Sequence, residues 1–173
     1  MRFPMLALAL AVALPACDSL DTFDVETSGT TTIAGSPLGV SPLFPELELP
    51  GLTDFRFTES KAWKDNDLSA DDVESVKLRS VKLNVLSPER GSLDFMDEIT
   101  IAIEAPGLER KTIARKSVPD GVAEVSLDVP DVELKRYATS NEMEIVTTVT
   151  GKQPQETTTL RARAVFEVNA AIF

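Results

Sequence analysis

The sequence predicts an all-β protein whose core is an antiparallel β-sandwich. Apolar residues alternate with polar ones over short segments from residue 75 onward, as in Ile99, Ile101 and Ile103. This alternation is the pattern of half-buried strands. Turn-forming residues separate the segments roughly every ten to fifteen residues, and no long helical periodicity occurs, which is typical of a sandwich.

The segment before this core predicts only scattered structure. Residues 22–26 alternate and predict a short strand. Residues 28–51 are rich in Gly, Ser, Thr and Pro and predict an irregular connection. Residues 54–58 alternate again, and the charged residues 59–74 predict a loop with one helical turn. We therefore expect an irregular N-terminal extension.

The core begins with a strand that changes face. Val76 and Leu78 share one parity of the alternation, whereas Leu83 and Val85 share the other. One strand can do this only if it contains an extra residue, so we expect a β-bulge near residues 79–80. Further strands are predicted around Ile101, at residues 112–116 (as an edge strand), and at 125–129, 143–149 and 160–168.

One local motif resembles a feature of immunoglobulin and fibronectin type III domains. Tyr137 shortly precedes the predicted strand that starts at Met143, and this placement is similar to their tyrosine corner. Residues 75–173 also number 99, close to the roughly 100 residues of such a domain. The resemblance implies an immunoglobulin-like sandwich. The paired cysteines and the strand tryptophan of that family are absent, so the likeness concerns architecture alone.

The N-terminus predicts an export signal. Arg2 is followed by an apolar run over residues 5–14 and by Leu14-Pro15-Ala16-Cys17. A basic start, a short apolar run and a small residue before the cut define a secretory signal. The run is shorter than the roughly 20 apolar residues that a membrane-spanning helix needs. We expect a signal helix that is cleaved before Cys17.

The same four residues resemble the lipobox of bacterial lipoproteins, which has a leucine three places before the cysteine and a small residue just before it. The resemblance implies a diacylglycerol thioether on the Cys17 sulfur and acylation, for example with palmitate, of the new amino terminus. A plain secretory signal with an incidental cysteine is the alternative. The predicted organisation is a signal peptide (1–16), a lipidated tether (17–21), an N-terminal extension (22–74) and a sandwich core (75–173).

These expectations place the protein in a bacterial cell envelope, held on a membrane by its lipid. The sequence does not decide between the inner and the outer membrane of a Gram-negative envelope, or between a position facing the periplasm and one facing the cell surface. Asp18, directly after the cysteine, resembles the inner-membrane retention signal of enterobacterial lipoproteins.

Composition excludes several kinds of site. The chain has one cysteine and no histidine, so an internal disulfide, a histidine-based zinc site and a Ser-His-Asp triad cannot form. The formal charge is −11, and loss of Arg2 with the signal would make it one unit more negative. A surface of this sign disfavours nucleic-acid partners, because phosphate binding needs clustered Lys and Arg.

A loop rich in oxygen ligands is the candidate metal site. Calcium takes six to eight hard oxygen ligands, which calcium-binding loops supply from alternating positions, and several residues between 65 and 72 have such side chains. The alternative is a solvated loop in which these side chains cap a turn. The candidate ligands are Asp65, Asp67, Ser69 and Asp72.

The lone tryptophan, Trp63, is the candidate binding residue. Its ring is suited to stacking on a sugar or anchoring a protein partner. Alternatively, it plugs the open end of the sandwich.

No catalytic residue is predicted. The carboxylate pairs Asp94/Asp97 and Glu142/Glu144 have no motif around them. We expect a non-enzymatic, lipid-anchored structural or protein-interaction module with no cofactor besides its lipid. The alternative is a ligand-binding lipoprotein that takes a carbohydrate or a divalent cation, and a hydrolase is the more remote one.

Overall fold

The computed structural model describes residues 20–38, 46–140 and 142–171, with side chains from Thr22 onward. Seven strands and three short helical segments lie within these residues. The strands are β1 (Leu20–Ile33), β2 (Val73–Ser87), β3 (Met96–Glu104), β4 (Lys111–Ser117), β5 (Glu124–Ser126), β6 (Glu144–Gly151) and β7 (Thr158–Ala171). The helical segments are a 3₁₀ turn (Phe57–Glu59), α1 (Lys61–Asp65) and α2 (Lys135–Ala138).

The strands form two antiparallel sheets, which confirms the predicted sandwich class. One sheet has four strands in the order β1-β7-β2-β5, and the other has three in the order β4-β3-β6. Just after β5, Asp128 forms a bridge to Arg115 of β4, so the chain joins the two sheets along one side.

The paired strands are nested along the chain: the first strand pairs with the last, and each further pair lies between the members of the previous one. This order corrects the expected immunoglobulin-like order. β1 pairs with β7, Glu46 bridges to Thr148 of β6, β2 pairs with β5, and β3 pairs with β4. Nested pairs rolled into two sheets are the arrangement of a jelly-roll sandwich. In the immunoglobulin order the last strand lies at the edge of the three-stranded sheet, whereas here β7 lies between β1 and β2.

The tyrosine motif differs from a tyrosine corner as well. The Tyr137 hydroxyl donates to the Glu109 carbonyl oxygen at 2.5 Å. Glu109 is 28 residues upstream, in the β3–β4 loop, whereas the corner bonds to backbone only a few residues away. Tyr137 therefore ties α2 to a different loop.

Strand β1 corrects the predicted extension. Its second half runs through the first six residues of the predicted irregular segment, to Ile33, and β1 pairs with β7 along its whole length. The β-branched residues before Ile33 favour a strand once β7 supplies hydrogen-bonding partners. Gly29 is needed there, because a Cβ would lie 2.7 Å from the Leu49 carbonyl oxygen. The predicted boundary at residue 74 thus falls inside one sheet.

Residues 54–58 are not a strand. Phe57 begins the 3₁₀ turn, and α1 supplies the expected single helical turn. The Ser60 side chain accepts a hydrogen bond from the Trp63 amide and so caps α1. Phe57 packs edge-to-face against Phe166 of β7, with ring centroids 4.9 Å apart. This segment therefore covers the core.

The other predicted strands are present, although β5 spans only Glu124–Ser126 and so ends before the predicted 125–129 segment does. The β2–β7 register shifts between Leu78 and Ser80, at the predicted bulge. β4 is an edge strand of its sheet, as expected. The inward positions of β7 are all at most 2 % exposed, namely Leu160, Ala162, Ala164, Phe166 and Val168.

The predicted signal helix, Cys17 and most of the tether lie outside the described residues. Within the part of the chain that is described, no helix has the length and apolar character to cross a membrane.

Candidate functional site: a cleft at one end of the sandwich

A cleft of about 530 Å³ opens at one end of the sandwich. Its walls come from the β2–β3 loop (residues 88–95) and the β6–β7 loop (residues 152–157). Thr158 also lines it and pairs with Ile33, the last residue of β1. Since β1 has 14 residues at about 3.3 Å each, the cleft is about 45 Å from Leu20. We call this end of the molecule the distal end.

The two walls are held together at Gly151. The Lys152 amide donates to the Phe95 carbonyl oxygen at 2.7 Å. Gly151 has a φ of +145°, and a Cβ there would overlap the same Phe95 oxygen. Only glycine allows β6 to end so close to the start of β3.

Two further loops brace the cleft. The Ser36 amide donates to the Pro154 carbonyl oxygen at 2.8 Å, and the Gln153 side-chain amide donates to the Ala34 carbonyl oxygen at 2.9 Å. On the other side, the Asp94 carboxylate accepts from the Gly121 amide. Hydrogen bonds therefore tie the cleft walls to the segment after β1 and to the β4–β5 loop.

Asp94 has a structural role in this frame. Hydrogen bonds from the Ser92 side chain and from the Gly121 amide lower the pKa of Asp94 below its ordinary value. Asp97 lines the same cleft, so the structure does bring together the carboxylate pair noted in the sequence. One member of that pair is already occupied in holding the β4–β5 loop.

The remaining charged side chains of the cleft have no protein partner among the described residues. Arg90, Lys152, Asp97 and Glu156 all line it. Within residues 20–38, 46–140 and 142–171, none of their side chains forms an ion pair or a hydrogen bond with the protein. The cleft thus offers two cations and two carboxylates, together with the amide of Gln155.

The predicted metal loop lies elsewhere and is organised as a capped turn. The Asp72 carboxylate accepts from the Ser69 hydroxyl at 2.6 Å and from its amide at 2.7 Å, and these bonds lower the pKa of Asp72. Asp65 forms an ion pair with Lys61, and Asp67 is exposed at a φ of +50°.

Among the described residues, no three acidic or cysteine side chains are close enough to hold a metal ion. Calcium binding at Asp65, Asp67, Ser69 and Asp72 stays a prediction. A rise in melting temperature when calcium is titrated into the purified protein would support it.

The predicted binding role of Trp63 is wrong. Its side chain is 4 % exposed and belongs to the hydrophobic core. A ring buried in this way cannot stack on a sugar or anchor a partner, so Trp63 serves the packing of the core.

Sequence patterns identified the two loops that form the cleft walls, but they did not indicate that these loops lie together. Both loops that form its walls were recognisable as turns from their Pro and Gly residues. They are about 60 residues apart in sequence, and only the nested pairing brings them together. No local pattern at Arg90 or Lys152 indicates that they share a site.

No family model matches the chain, and no curated protein matches it in sequence. Among solved structures, the chain is similar to the decameric BFDV capsid protein, with a TM-score of 0.46 and 9 % identity over 88 % of this chain and 99 % of that one. It is also similar to the 60-mer BFDV capsid protein, with a TM-score of 0.41 and 9 % identity over 90 % and 95 % of the two chains. These matches assign no family to the chain.

Proposed function

We propose that the protein is a non-enzymatic, lipid-anchored lipoprotein of a bacterial cell envelope, whose sandwich acts as a structural or protein-interaction module. The observation that supports this is the short distance in sequence between the lipobox and the fold. β1 begins at Leu20, three residues after Cys17. Three residues reach at most about 10 Å, so a lipid on Cys17 would hold that end of the sandwich close to the bilayer.

The position of the cleft supports an interaction role. It opens at the distal end, about 45 Å along β1 from Leu20. A module held by Cys17 would therefore present the cleft away from its own membrane. Several acyl chains would make the attachment firm, because a single chain gives only marginal binding.

Replacing Cys17 by serine tests the anchor. We expect the wild-type protein to incorporate a labelled palmitate and to sediment with membranes, whereas Cys17→Ser does neither. Ser19→Ala, which leaves the cysteine in place, is the control and should behave as wild type. Membrane attachment and labelling that persist in Cys17→Ser would overturn the proposal.

Crosslinking in intact cells tests the interaction role. A discrete protein partner should be recovered with the wild type and lost or much reduced with Cys17→Ser, since the variant is no longer held at the membrane. Recovery of the lipid-modified protein alone, in repeated experiments, would argue against an assembly role.

Ligand binding is the second candidate, and the cleft is the observation that favours it. Its volume lies within the roughly 300–1,000 Å³ range of ligand pockets. A carbohydrate would have to bind there rather than at the buried Trp63. A panel of envelope oligosaccharides that raises the melting temperature would favour this candidate over a protein partner.

A further inference from the structure

The shape of the distal cleft is set before anything binds. Its two walls are joined by the Lys152–Phe95 main-chain hydrogen bond, and its sides are tied to Ala34 and to Gly121. A preformed site loses little conformational entropy on binding. The cleft can therefore select a ligand by the groups that line it.

Those groups favour a ligand with charges of both signs. A neutral ligand would leave the exposed charges of Arg90, Lys152, Asp97 and Glu156 unused, whereas a ligand with both signs can pair with each of them. A polyanion is disfavoured by the net charge of −11. A polycation would leave the guanidinium of Arg90 and the ammonium of Lys152 facing like charge.

Apolar side chains lie at the same end. Leu38 is 79 % exposed and Leu86 is 39 % exposed, and these are the large exposed hydrophobic residues of the described chain. Leu38 closely follows Ser36, which bonds to Pro154 in the cleft wall. Leu86 precedes Ser87, which pairs with Thr159 beside the cleft. Protein interfaces combine such apolar contacts with a polar surround.

We propose that the distal cleft binds a polypeptide segment that carries both basic and acidic side chains, supplied by a partner protein. A peptide provides both charges and the main-chain groups that Gln155 can pair with. The orientation of this site away from the membrane rests on the proposed lipid anchor, but binding in the cleft does not.

Selection from a random octapeptide library with the purified full-length protein tests this inference. Enriched peptides should contain both Lys or Arg and Asp or Glu. The double variant Arg90→Gln/Asp97→Asn keeps the net charge and should weaken the enriched peptides at least tenfold by titration calorimetry. The matched control Lys64→Gln/Asp71→Asn, which also keeps the net charge but changes exposed residues of α1 and of the turn before β2, should change affinity less than twofold.

The inference would be overturned if no peptide were enriched relative to the Arg90/Asp97 variant, if the enriched peptides carried a single charge sign, or if both double variants lost affinity equally. Binding of an oligosaccharide that the cleft variant abolishes, without peptide binding, would also overturn it. Since the selection needs no membrane, its failure is separable from failure of palmitate labelling at Cys17.

Discussion

At the scale of single residues, the hydroxyl of Thr147 stands out. Thr147 is 2 % exposed on the inward face of β6, between Ile145 and Val149. Its Oγ1 atom has no hydrogen-bond partner in the described chain. A buried polar group without a partner costs about 1–3 kcal/mol, so the core tolerates an unfavourable group here.

Replacing Thr147 by valine should therefore stabilise the protein. We expect Thr147→Val to raise the free energy of unfolding by about 1 kcal/mol, because the shape is kept and the unpaired hydroxyl is removed. Urea unfolding measures this. Thr150→Val, on the exposed face of the same strand, should stay within about 0.5 kcal/mol of wild type. A loss of stability in Thr147→Val would mean that the hydroxyl has a partner.

The lowered pKa of Asp94 predicts that the stability of the protein depends on pH. Its pKa is lowered in the folded protein by the Ser92 and Gly121 hydrogen bonds, so its stabilising effect is full above the ordinary aspartate pKa. The effect is lost as the pH falls through the lowered value. Asp94→Asn should be less stable than wild type at pH 7, and this difference should shrink below about pH 4.

Melting temperatures across pH 2–7 check this prediction. Asp120→Asn is the control in the neighbouring loop, since Asp120 makes no hydrogen bond among the described residues. A difference between Asp94→Asn and wild type that does not change with pH would contradict the assigned role.

At the scale of elements, the junction of β3 and β6 depends on Gly151. An alanine there would need a positive φ and would overlap the Phe95 oxygen, so β6 must move from β3 and the Lys152–Phe95 bond is strained. We expect Gly151→Ala to lower the free energy of unfolding by about 2–3 kcal/mol. Denaturant unfolding measures this loss, and we expect the variant to bind peptides in the cleft more weakly than the wild type.

The variant Gly107→Ala separates the cost of a positive φ from the cost of the overlap with the Phe95 oxygen. Gly107 has a φ of +75°, but a Cβ there would meet nothing within 4 Å, so only the backbone conformation is penalised, by about 1 kcal/mol. Equal losses in the two variants would show that close approach at Phe95 does not matter.

The positions of the strands were largely predictable from the sequence, whereas the pairing between strands was not. The alternation of Ile99, Ile101 and Ile103 reports a half-buried strand directly, and the parity change after Leu78 reports a bulge. The second half of β1 escaped because its Gly, Ser and Thr residues resemble a loop until β7 supplies the hydrogen bonds. Nested pairing, and with it the cleft, depends on contacts between distant segments that no local pattern encodes.

At the scale of the whole molecule, we expect the fold to depend on β1. It contributes the buried residues Val25 and Ile33, and it pairs with the edge of β7 through 14 residue pairs. A chain limited to residues 75–173 should therefore fail to fold cooperatively, because it leaves β7 as a bare edge and opens the core. Circular dichroism during heating compares it with residues 17–173. A sharp melting transition in the shorter chain would contradict this requirement.

The antiparallel ladder between β1 and β7 also decides how the molecule would respond to mechanical force. A pull between a lipid on Cys17 and a partner in the distal cleft would run along β1, from Leu20 toward Ile33. Such a pull loads the ladder in shear, so its 14 residue pairs resist together. Pulling Leu20 away from Ala171, its opposite neighbour, would instead unzip the same ladder one pair at a time. The β1–β7 ladder would thus resist a pull between Leu20 and the distal cleft better than a pull between Leu20 and Ala171.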